Sequence, residues 1–202
     1  MLTADEIVRF DDAPAPPGRT AWVQGGPEAE AIAIVPAEPR WSADFELLAG
    51  IVREALGPLA LDVEHVGSTS VPGLPAKPVI DLDLTVASSA DEPAWLPQLE
   101  AAGFVLTVRE PWWYEHRCLR FAEPRANLHV FAPDCPEAAR HKIFRDWLRE
   151  HPEDVALYRD AKLGAADEAN AAGEHVMQYN ARKQQVIREI YHRAFTASGL
   201  LE

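Results

Sequence analysis

Residues 66–84 read VGSTSVPGLPAKPVIDLDL. The segment starts at the end of an apolar strand, passes through a loop with two glycines and three prolines, and ends in a strand where acidic and apolar residues alternate. Because successive side chains of a strand point to opposite faces, Asp81 and Asp83 share one face, and Leu82 and Leu84 share the other. The stretch therefore predicts two neighbouring carboxylates on a sheet whose opposite face is buried.

Two carboxylates this close repel each other unless one is protonated or a cation lies between them. A divalent metal, Mg²⁺ or Mn²⁺, would remove the repulsion and offer a site for phosphate oxygens. In the structural alternative, one aspartate caps a nearby turn and the other faces solvent. The alternating pattern alone leaves both interpretations open.

The loop over residues 67–78 carries groups that suit an anion. Gly67 lets the backbone approach a ligand closely, and Lys77 adds a cation. Hydroxyl and amide donors come from the three residues that follow the glycine, Ser68, Thr69 and Ser70. The loop is not a Walker A motif, because the G-x4-GK-[ST] spacing is absent and a proline follows the lysine.

The strand end at 66–68, a spacer of twelve residues and the D-L-D-L segment at 81–84 resemble a known signature. This signature is h-G-[GS]…[DE]-h-[DE]-h (h, apolar), and it belongs to the nucleotidyltransferase (polymerase β-like) superfamily. Over residues 31–195 the sequence resembles the GrpB family, in AIVPAEPRWSADFELL, HVGSTSVPGLPAKPVIDLDLTV, NLHVF, RHKIFRDWLREHPEDVALYRDAK and YNARKQQVIREI. The resemblance implies an α+β protein with a minimal nucleotidyltransferase fold, a mixed β-sheet flanked by helices, and a helical C-terminal extension.

The same resemblance implies roles for the residues of the signature. Gly67 and Ser68 would hold the phosphates of a nucleoside triphosphate, the co-substrate, while Asp81 and Asp83 would chelate the divalent metal. Active members of the superfamily add a third carboxylate on a later strand, and the corresponding segment here, 126–130, has none. His129 lies on that segment instead.

Three interpretations of His129 remain open. It could complete an Asp-Asp-His set as a neutral metal ligand, or act as a general base. The site could also have kept its shape and lost transfer chemistry, so that it only binds a nucleotide. Finally, His129 could be an ordinary hydrogen-bonded histidine of a half-buried strand.

Basic residues are concentrated near the C terminus, where residues 136–202 hold ten of the nineteen lysines and arginines. Residues four apart share a helix face, so Tyr179 lies beside Lys183. The resemblance places these helices over the sheet, where they could complete a triphosphate grip; the alternative is surface ion pairs. Candidates for ligand contact, including two on a predicted hairpin near His129, are Arg117, Arg120, Arg145, Lys162, Tyr179 and Lys183.

The 202 residues carry a net charge of −13, which disfavours non-specific nucleic-acid binding but allows a small phosphorylated ligand or nucleotide. No apolar run reaches the roughly 18–20 residues that span a bilayer, and the first residues lack the features of a signal peptide. Two cysteines, Cys118 and Cys135, fit a reducing compartment. We expect a cytoplasmic protein without membrane association, for which a protein partner is allowed.

The pattern predicts three parts of the chain. Residues 1–30 form an N-terminal extension or linker, 31–135 a nucleotidyltransferase-like α/β core, and 136–202 a helical part packed on that core. Within them, a strand is expected over 31–35 and one long final helix over 176–195.

Three functions are compatible with these features. The first is metal-dependent transfer of a nucleoside monophosphate from a nucleoside triphosphate to an unknown small acceptor. The second is a non-catalytic nucleotide-binding or partner-assisting module, as the resemblance to domains fused to dephospho-CoA kinase implies. The third is a hydrolase or lyase with an Asp-Asp-His metal centre. We favour the first, because in-line transfer needs positioning and charge neutralisation more than a side-chain nucleophile.

Overall fold

A computed structural model describes residues 2–10, 15–23, 26 and 30–201. Its strands are β1 (Asp62–Val66), β2 (Ile80–Thr85), β3 (Val105–Glu110), β4 (His116–Phe121) and β5 (Ala126–Phe131). Its helices are α1 (Ala4–Val8), α2 (Arg40–Leu56), α3 (Glu92–Ala101), α4 (Pro136–Glu150), α5 (Pro152–Ala172), α6 (Val176–Arg182) and α7 (Gln184–Ala197). None of these helices is both long enough and apolar enough to span a membrane.

The strands form one mixed sheet in the order β1-β2-β5-β4-β3. Strands β2 and β5 are parallel, and the other neighbours are antiparallel. The predicted α+β class with a mixed sheet flanked by helices is therefore confirmed.

The period of two along β2 and β5 separates an apolar face from a polar one. Leu82, Leu84 and Leu128 have no exposed surface and pack with α2 and α3, whose buried residues include Trp41 and Trp95. Full burial of such a side chain contributes roughly 1.5–3 kcal/mol, so this face is the main apolar core of the sheet. The polar face lies against α4 and the C-terminal helices.

The prediction of a strand over residues 31–35 is wrong. Only Val35 makes a backbone bridge, an isolated antiparallel pair with Ala76. The preceding backbone instead bonds to a side chain, because Asn170 of α5 accepts from the Ile32 amide at 2.8 Å and donates to the Ile32 carbonyl at 3.0 Å. Ile32 and Ile34 pack against the C-terminal helices, while Val35 packs against the apolar core of the sheet.

The prediction of a single final helix over 176–195 is also wrong, because the helix is interrupted at Lys183. This residue ends α6 and precedes α7 with φ −95° and ψ −2°. As a result, Tyr179 and Lys183 lie at the end of a short helix beside the polar face of the sheet. The other helices of the predicted C-terminal extension pack mutually, with α7 on both α4 and α5.

The described parts of residues 1–30 contact the fold through α1 and Phe10, through residues 21–23, and through an ion pair of Glu30 with Arg125. Helix α1 packs on α4, and residues 21–23 run antiparallel to β3. There the Arg109 amide donates to the Ala21 carbonyl at 2.7 Å, and the Val23 amide donates to the Thr107 carbonyl at 3.0 Å. The predicted linker includes residues 11–14, 24–25 and 27–29, which lie outside the described residues.

Candidate functional site

A cavity of about 660 Å³ lies between the polar face of the sheet and helices α5 and α6. This volume falls within the range of roughly 300–1,000 Å³ that is common for small-molecule sites. The cavity brings together nine of the residues singled out from the sequence, namely Gly67, Ser68, Lys77, Asp81, Arg120, His129, Lys162, Tyr179 and Lys183.

Gly67 forms one wall through its backbone. Its φ of +67° and ψ of −170° lie in a region that favours glycine. A Cβ at this position would lie 2.5 Å from Oδ2 of Asp81, so the absence of a side chain permits the close approach of the loop and the carboxylate. The strand end therefore holds the loop backbone directly against the first aspartate.

Asp81 is half-buried, and one of its oxygens is held by β5. Asn127 donates to Asp81 Oδ1 at 2.9 Å, and Nε2 of His129 lies 3.9 Å from the same oxygen. Burial favours the neutral acid, but hydrogen bonding and charge from His129, together with Asn127, lower the pKa of Asp81 below its usual value. Asp81 therefore presents an ionised carboxylate to the cavity.

Asp83 is 4% exposed and lies behind Asp81 on the same face. Its Oδ2 pairs with Nδ1 of His141 at 2.8 Å, while its Oδ1 is buried without a hydrogen-bond partner in the described part of the chain. Each aspartate thus has one oxygen bound by the protein, and Asp83 keeps a buried oxygen without a partner. Because buried oxygens need partners, this donor set fits a divalent cation.

The two aspartate carboxylates suit a divalent cation, but in the part of the chain that the structure describes they do not belong to a preformed cluster of three ligands. Among the described residues, no group of three or more histidine, cysteine, aspartate or glutamate side chains is arranged to hold a metal ion. The Asp81, Asp83 and His129 metal set therefore stays a prediction.

Two histidines that the sequence pattern did not assign to this site are brought to it by the fold. His116 Nε2 lies 3.0 Å from His129 Nδ1, and His116 Nδ1 lies 2.8 Å from Glu110 Oε2. Burial lowers the pKa of His116 to about 4, so its ring is neutral near pH 7. Burial would also lower the pKa of His129, but neighbouring Cys118 and the aspartates raise it.

His141 of α4 is the second of these histidines. Its burial opposes the charged form, yet the charge of Asp83 and the hydrogen bond to it raise the pKa of His141 to about 10. His141 contacts an aspartate 58 positions earlier in the chain, and this contact is visible only once α4 is packed beside β2.

Three lysines line the end of the cavity near Asp81, and the rings of two tyrosines lie close to them. We call Lys77, Lys162, Lys183, Tyr158 and Tyr179 the lysine cluster. Lys183 Nζ lies 4.5 Å from the ring centre of Tyr179, and Lys77 Nζ lies 5.9 Å from it. Lys162 Nζ lies 5.1 Å from the ring centre of Tyr158 and donates to the Pro75 carbonyl at 2.6 Å.

Within the described residues, no carboxylate lies at ion-pair distance from any of the three lysines, although the charge of Asp81 acts on Lys77 and Lys162 from farther away. Burial, together with the charges of Lys183 and Lys77, lowers the pKa of Lys162 to about 7. Burial likewise lowers the pKa of Lys77. Lysines that line a cavity without an ion-pair partner are typical of a site for an anion.

Five of the fourteen expected residues do not line the cavity; Asp83 is buried behind Asp81, and the other four bond elsewhere. Arg117 points to the apolar face of β4, where its Nε donates to Glu92 at 2.5 Å, because residues 117 and 119 share that face. Arg145 instead bonds Glu64 at 2.6 Å on the β1 side. Thr69 and Ser70 stabilise the loop, through His65 and the Gly67 carbonyl respectively.

The fold and the site together define an α+β protein with a lysine-rich, carboxylate-lined cavity on the polar face of a mixed sheet. The model of the GrpB protein family matches residues 31–193. The chain belongs to the GrpB family.

Relatives and a solved structure agree with this assignment. A UPF0157 protein of Halalkalibacterium halodurans is 42% identical over 168 residues, which are 83% of this chain and 85% of that protein. A UPF0157 protein of Streptomyces coelicolor is 36% identical, over 88% and 92% of the two chains. The crystal structure of conserved protein GrpB from Enterococcus faecalis superimposes with a TM-score of 0.70 at 28% identity, over 82% of this chain and 99% of that chain.

Another relative is longer than this chain. A protein of Mycolicibacterium paratuberculosis named dephospho-CoA kinase is 31% identical over 190 residues, which are 81% of this chain but only 46% of that protein. The match therefore covers about half of the kinase.

Proposed function

We propose that the chain binds a nucleoside triphosphate in the cavity and transfers its nucleoside monophosphate to a small acceptor with the help of Mg²⁺ or Mn²⁺. The observation that carries this proposal is the convergence of two charge groups on one cavity. The lysine cluster, whose lysines have no ion pair within the described part of the chain, lies beside Asp81, whose carboxylate shares its sheet face with Asp83.

The lysine cluster suits a polyphosphate better than a single carboxylate. The repulsion between neighbouring lysines helps to lower the pKa of Lys162, and an anion with several charges would relieve that repulsion and favour the charged form of each lysine. The backbone of Gly67 and the hydroxyl of Ser68 lie on the same cavity wall and can donate further hydrogen bonds to phosphate oxygens. We assign this end of the cavity to the triphosphate.

Asp81 Oδ2 and Asp83 Oδ1 are the oxygens that would hold the metal. When bound, a divalent metal supplies neutralisation of the phosphate charge and polarisation of the phosphoryl group. The contacts of Asn127 with Asp81 and of His141 with Asp83 support this assignment, because each leaves the other carboxylate oxygen without a protein hydrogen bond among the residues that the structure describes.

His129 takes the position of the third carboxylate in the proposed reaction. Its Nδ1 is held by His116, so its Nε2 faces Asp81 and the cavity. The acceptor oxygen or nitrogen forms a bond to the α-phosphorus, the bond to pyrophosphate breaks, and Nε2 takes the proton that the acceptor loses. A raised pKa makes neutral His129 a stronger base, although a smaller fraction of it is neutral at pH 7.

A second candidate is a non-catalytic module that binds a nucleotide or assists a partner. The observation that favours it is the polar face of β5, where Asn127 and His129 stand opposite the two aspartates and no carboxylate is present. The kinase-named relatives, of which this chain covers about half, are compatible with an assisting role.

Scanning fluorimetry tests the proposed binding. The chain is heated with each of the four nucleoside triphosphates, in Mg²⁺, Mn²⁺ or chelator. A ligand at 100 times its Kd stabilises the folded state by about 2.7 kcal/mol. For a chain of this size, that corresponds to a rise of roughly 5–10 °C in Tm.

We expect this rise with one triphosphate and metal, and its loss in Asp81→Asn. Asp91→Asn, which changes an exposed aspartate before α3, is the matched control and should keep the rise. No rise with any triphosphate would contradict the proposal. A rise without pyrophosphate release in the presence of a mixture of small hydroxyl and amine acceptors would favour the non-catalytic module.

A further inference from the structure

The N-terminal segment, residues 3–10, is fixed to the molecule by a buried arginine. Arg140 of α4 has no exposed surface, and its Nη1 donates to the backbone carbonyls of Glu6, Ile7 and Arg9 at 3.2, 2.9 and 3.2 Å. Since the last carbonyls of a helix lack partners within the helix, Arg140 caps the end of α1.

Phe10 provides a second attachment of the same segment. Its ring centre lies 5.2 Å from that of Tyr191 and 6.0 Å from that of Phe195, both on α7. The guanidinium carbon of Arg140 lies 5.0 Å from the ring centre of Phe10. The segment is therefore held by apolar contacts on α7 and by hydrogen bonds on α4.

A continuous series of polar contacts joins this attachment to the site. Nε of Arg140 donates to Glu137 Oε2 at 2.7 Å, and Glu137 Oε1 lies 3.4 Å from Nε2 of His141. The other ring nitrogen of His141, Nδ1, lies 2.8 Å from Asp83 Oδ2. The imidazole is thus held at both nitrogens, between a carboxylate of α4 and a carboxylate of β2.

We propose that His141 is a positioning residue for Asp83, and that Glu137 and Arg140 anchor it to residues 3–10, which thereby form a structural part of the site. This inference rests on the proposed function for the role of Asp83 as a metal ligand. A carboxylate with one oxygen fixed by a rigid ring keeps its other oxygen, here the buried Oδ1, in a fixed direction.

The segment lies outside the part of the chain that the family model matches, which begins at residue 31. Its connection to the site therefore follows from contacts in the structure alone. Loss of the anchor would leave Arg140 buried with three fewer acceptors and would allow His141 and Asp83 to reorient.

Mn²⁺ binding to the full chain, measured by electron paramagnetic resonance of the free ion, tests the positioning role. Removal of a group that orients a metal ligand typically weakens metal binding 10–100-fold, and we expect this loss in His141→Ala. His141→Asn keeps a donor near the position of Nδ1 and should restore binding to within about threefold of the original chain. His192→Ala removes an exposed histidine of α7 and should have no effect.

Phe10→Ala tests the part of the inference that concerns the N-terminal segment. This change removes the ring that contacts α7 and the Arg140 guanidinium, and it leaves the polar contacts of the Arg140–Glu137–His141–Asp83 series in place. We expect Mn²⁺ affinity to fall at least about threefold, less than in His141→Ala, because the anchor is loosened rather than removed. Unchanged affinity in folded His141→Ala would overturn the positioning role, and unchanged affinity in Phe10→Ala would overturn the role of the segment.

If the original chain binds no Mn²⁺, the metal part of the proposed function fails, and nuclear magnetic resonance then decides the positioning role. In the chain labelled with ¹⁵N histidine, the Nδ1 signal of His141 should shift in Asp83→Asn, and its Nε2 signal should shift in Glu137→Gln. Phe10→Ala should shift both signals. Signals that do not move would overturn the corresponding contact.

Discussion

Gly67 adopts a backbone conformation with φ +67°, and an added Cβ would lie 2.5 Å from an oxygen of Asp81. Two independent costs therefore oppose a side chain at this position, namely backbone strain and a clash with the aspartate. The backbone conformation of Gly67 and the position of the Asp81 carboxylate depend on each other, because the loop can approach β2 this closely only where residue 67 has no side chain.

Gly67→Ala should destabilise the chain by about 2 kcal/mol or more, since strain in this region alone costs about 1–3 kcal/mol. Gly50→Ala is the matched control, because Gly50 lies within helix α2 and an alanine methyl there would meet no atom within 4 Å. Replacement of a helical glycine by alanine should stabilise by about 0.5–1 kcal/mol. Urea unfolding of both variants measures the two signs, and a neutral Gly67→Ala would contradict the close approach.

Lys162 links stability to pH. Burial and neighbouring lysines lower its pKa from 10.5 to about 7 in the folded chain. Between these two values the unfolded chain binds a proton that the folded chain lacks, so this group makes stability rise with pH. Below pH 7 both states are protonated, and the full cost of the buried charge is present.

Lys162→Met should therefore raise Tm relative to the original chain at pH 6, and the difference should shrink as pH approaches 10. Each pKa unit corresponds to about 1.4 kcal/mol, although the lost hydrogen bond to the Pro75 carbonyl offsets part of the gain. Lys142→Met, a change at a partly exposed lysine of α4, is the control without such a trend. A Tm difference that is independent of pH would contradict the lowered pKa.

Strand β4 shows how the alternation of a strand determines which basic residues can reach a ligand. Arg117 and Arg120 differ by three positions, so they point to opposite faces of the sheet. Arg117 is buried with Glu92 on the apolar side, while Arg120 lines the cavity opposite Asn127.

The two arginines should respond differently to truncation. Arg120→Ala should weaken triphosphate binding about tenfold with little change in Tm, because it removes a cation from the cavity. Arg117→Ala should lower Tm and leave affinity unchanged, because it leaves Glu92 with one partner fewer. Calorimetric titration and thermal unfolding of both variants separate the effects, and the reverse assignment would contradict the register of β4 and β5.

Strands were predictable from sequence where one face is buried and the alternation is strict. Asp81 and Asp83 on β2 are the clearest case, since Leu82 and Leu84 fix the opposite face. The prediction of a strand over 31–35 failed because Ile32 and Ile34 pack against helices α5 and α6, and apolar composition does not reveal which element covers a segment. The prediction of one final helix over 176–195 failed because the apolar spacing continues across Lys183, where the helix is interrupted.

Contacts between distant elements account for the site residues that the sequence did not reveal. His141 meets Asp83 only because α4 packs on the polar face, and His116 meets His129 only through the pairing of β4 with β5. Residue type suggested the loop, the aspartates and several lysines. Arg117 and Arg145 point away from the cavity because of strand register and helix packing, which no local sequence pattern encodes.

Across the whole molecule, charge is distributed unevenly, because lysines gather at the cavity of a chain that is acidic on average. The chain carries a net charge of −13, yet the cavity gathers three lysines beside Asp81. If the cavity binds an anion as proposed, the acidic surface around it would favour a small anion over a polyanion, because that surface repels a long polymer. Lys162 of α5 and Lys183 at the end of α6 are far from β2 in the sequence, so the site exists only in the assembled fold.

Anomalous diffraction from Mn²⁺, in a crystal of the chain with a non-hydrolysable nucleoside triphosphate, tests the central claim most directly. We expect an anomalous peak bound by Asp81 and Asp83, with the triphosphate against Lys162 and Lys183. A triphosphate bound outside the cavity, or a manganese peak away from both aspartates, would contradict the proposed site.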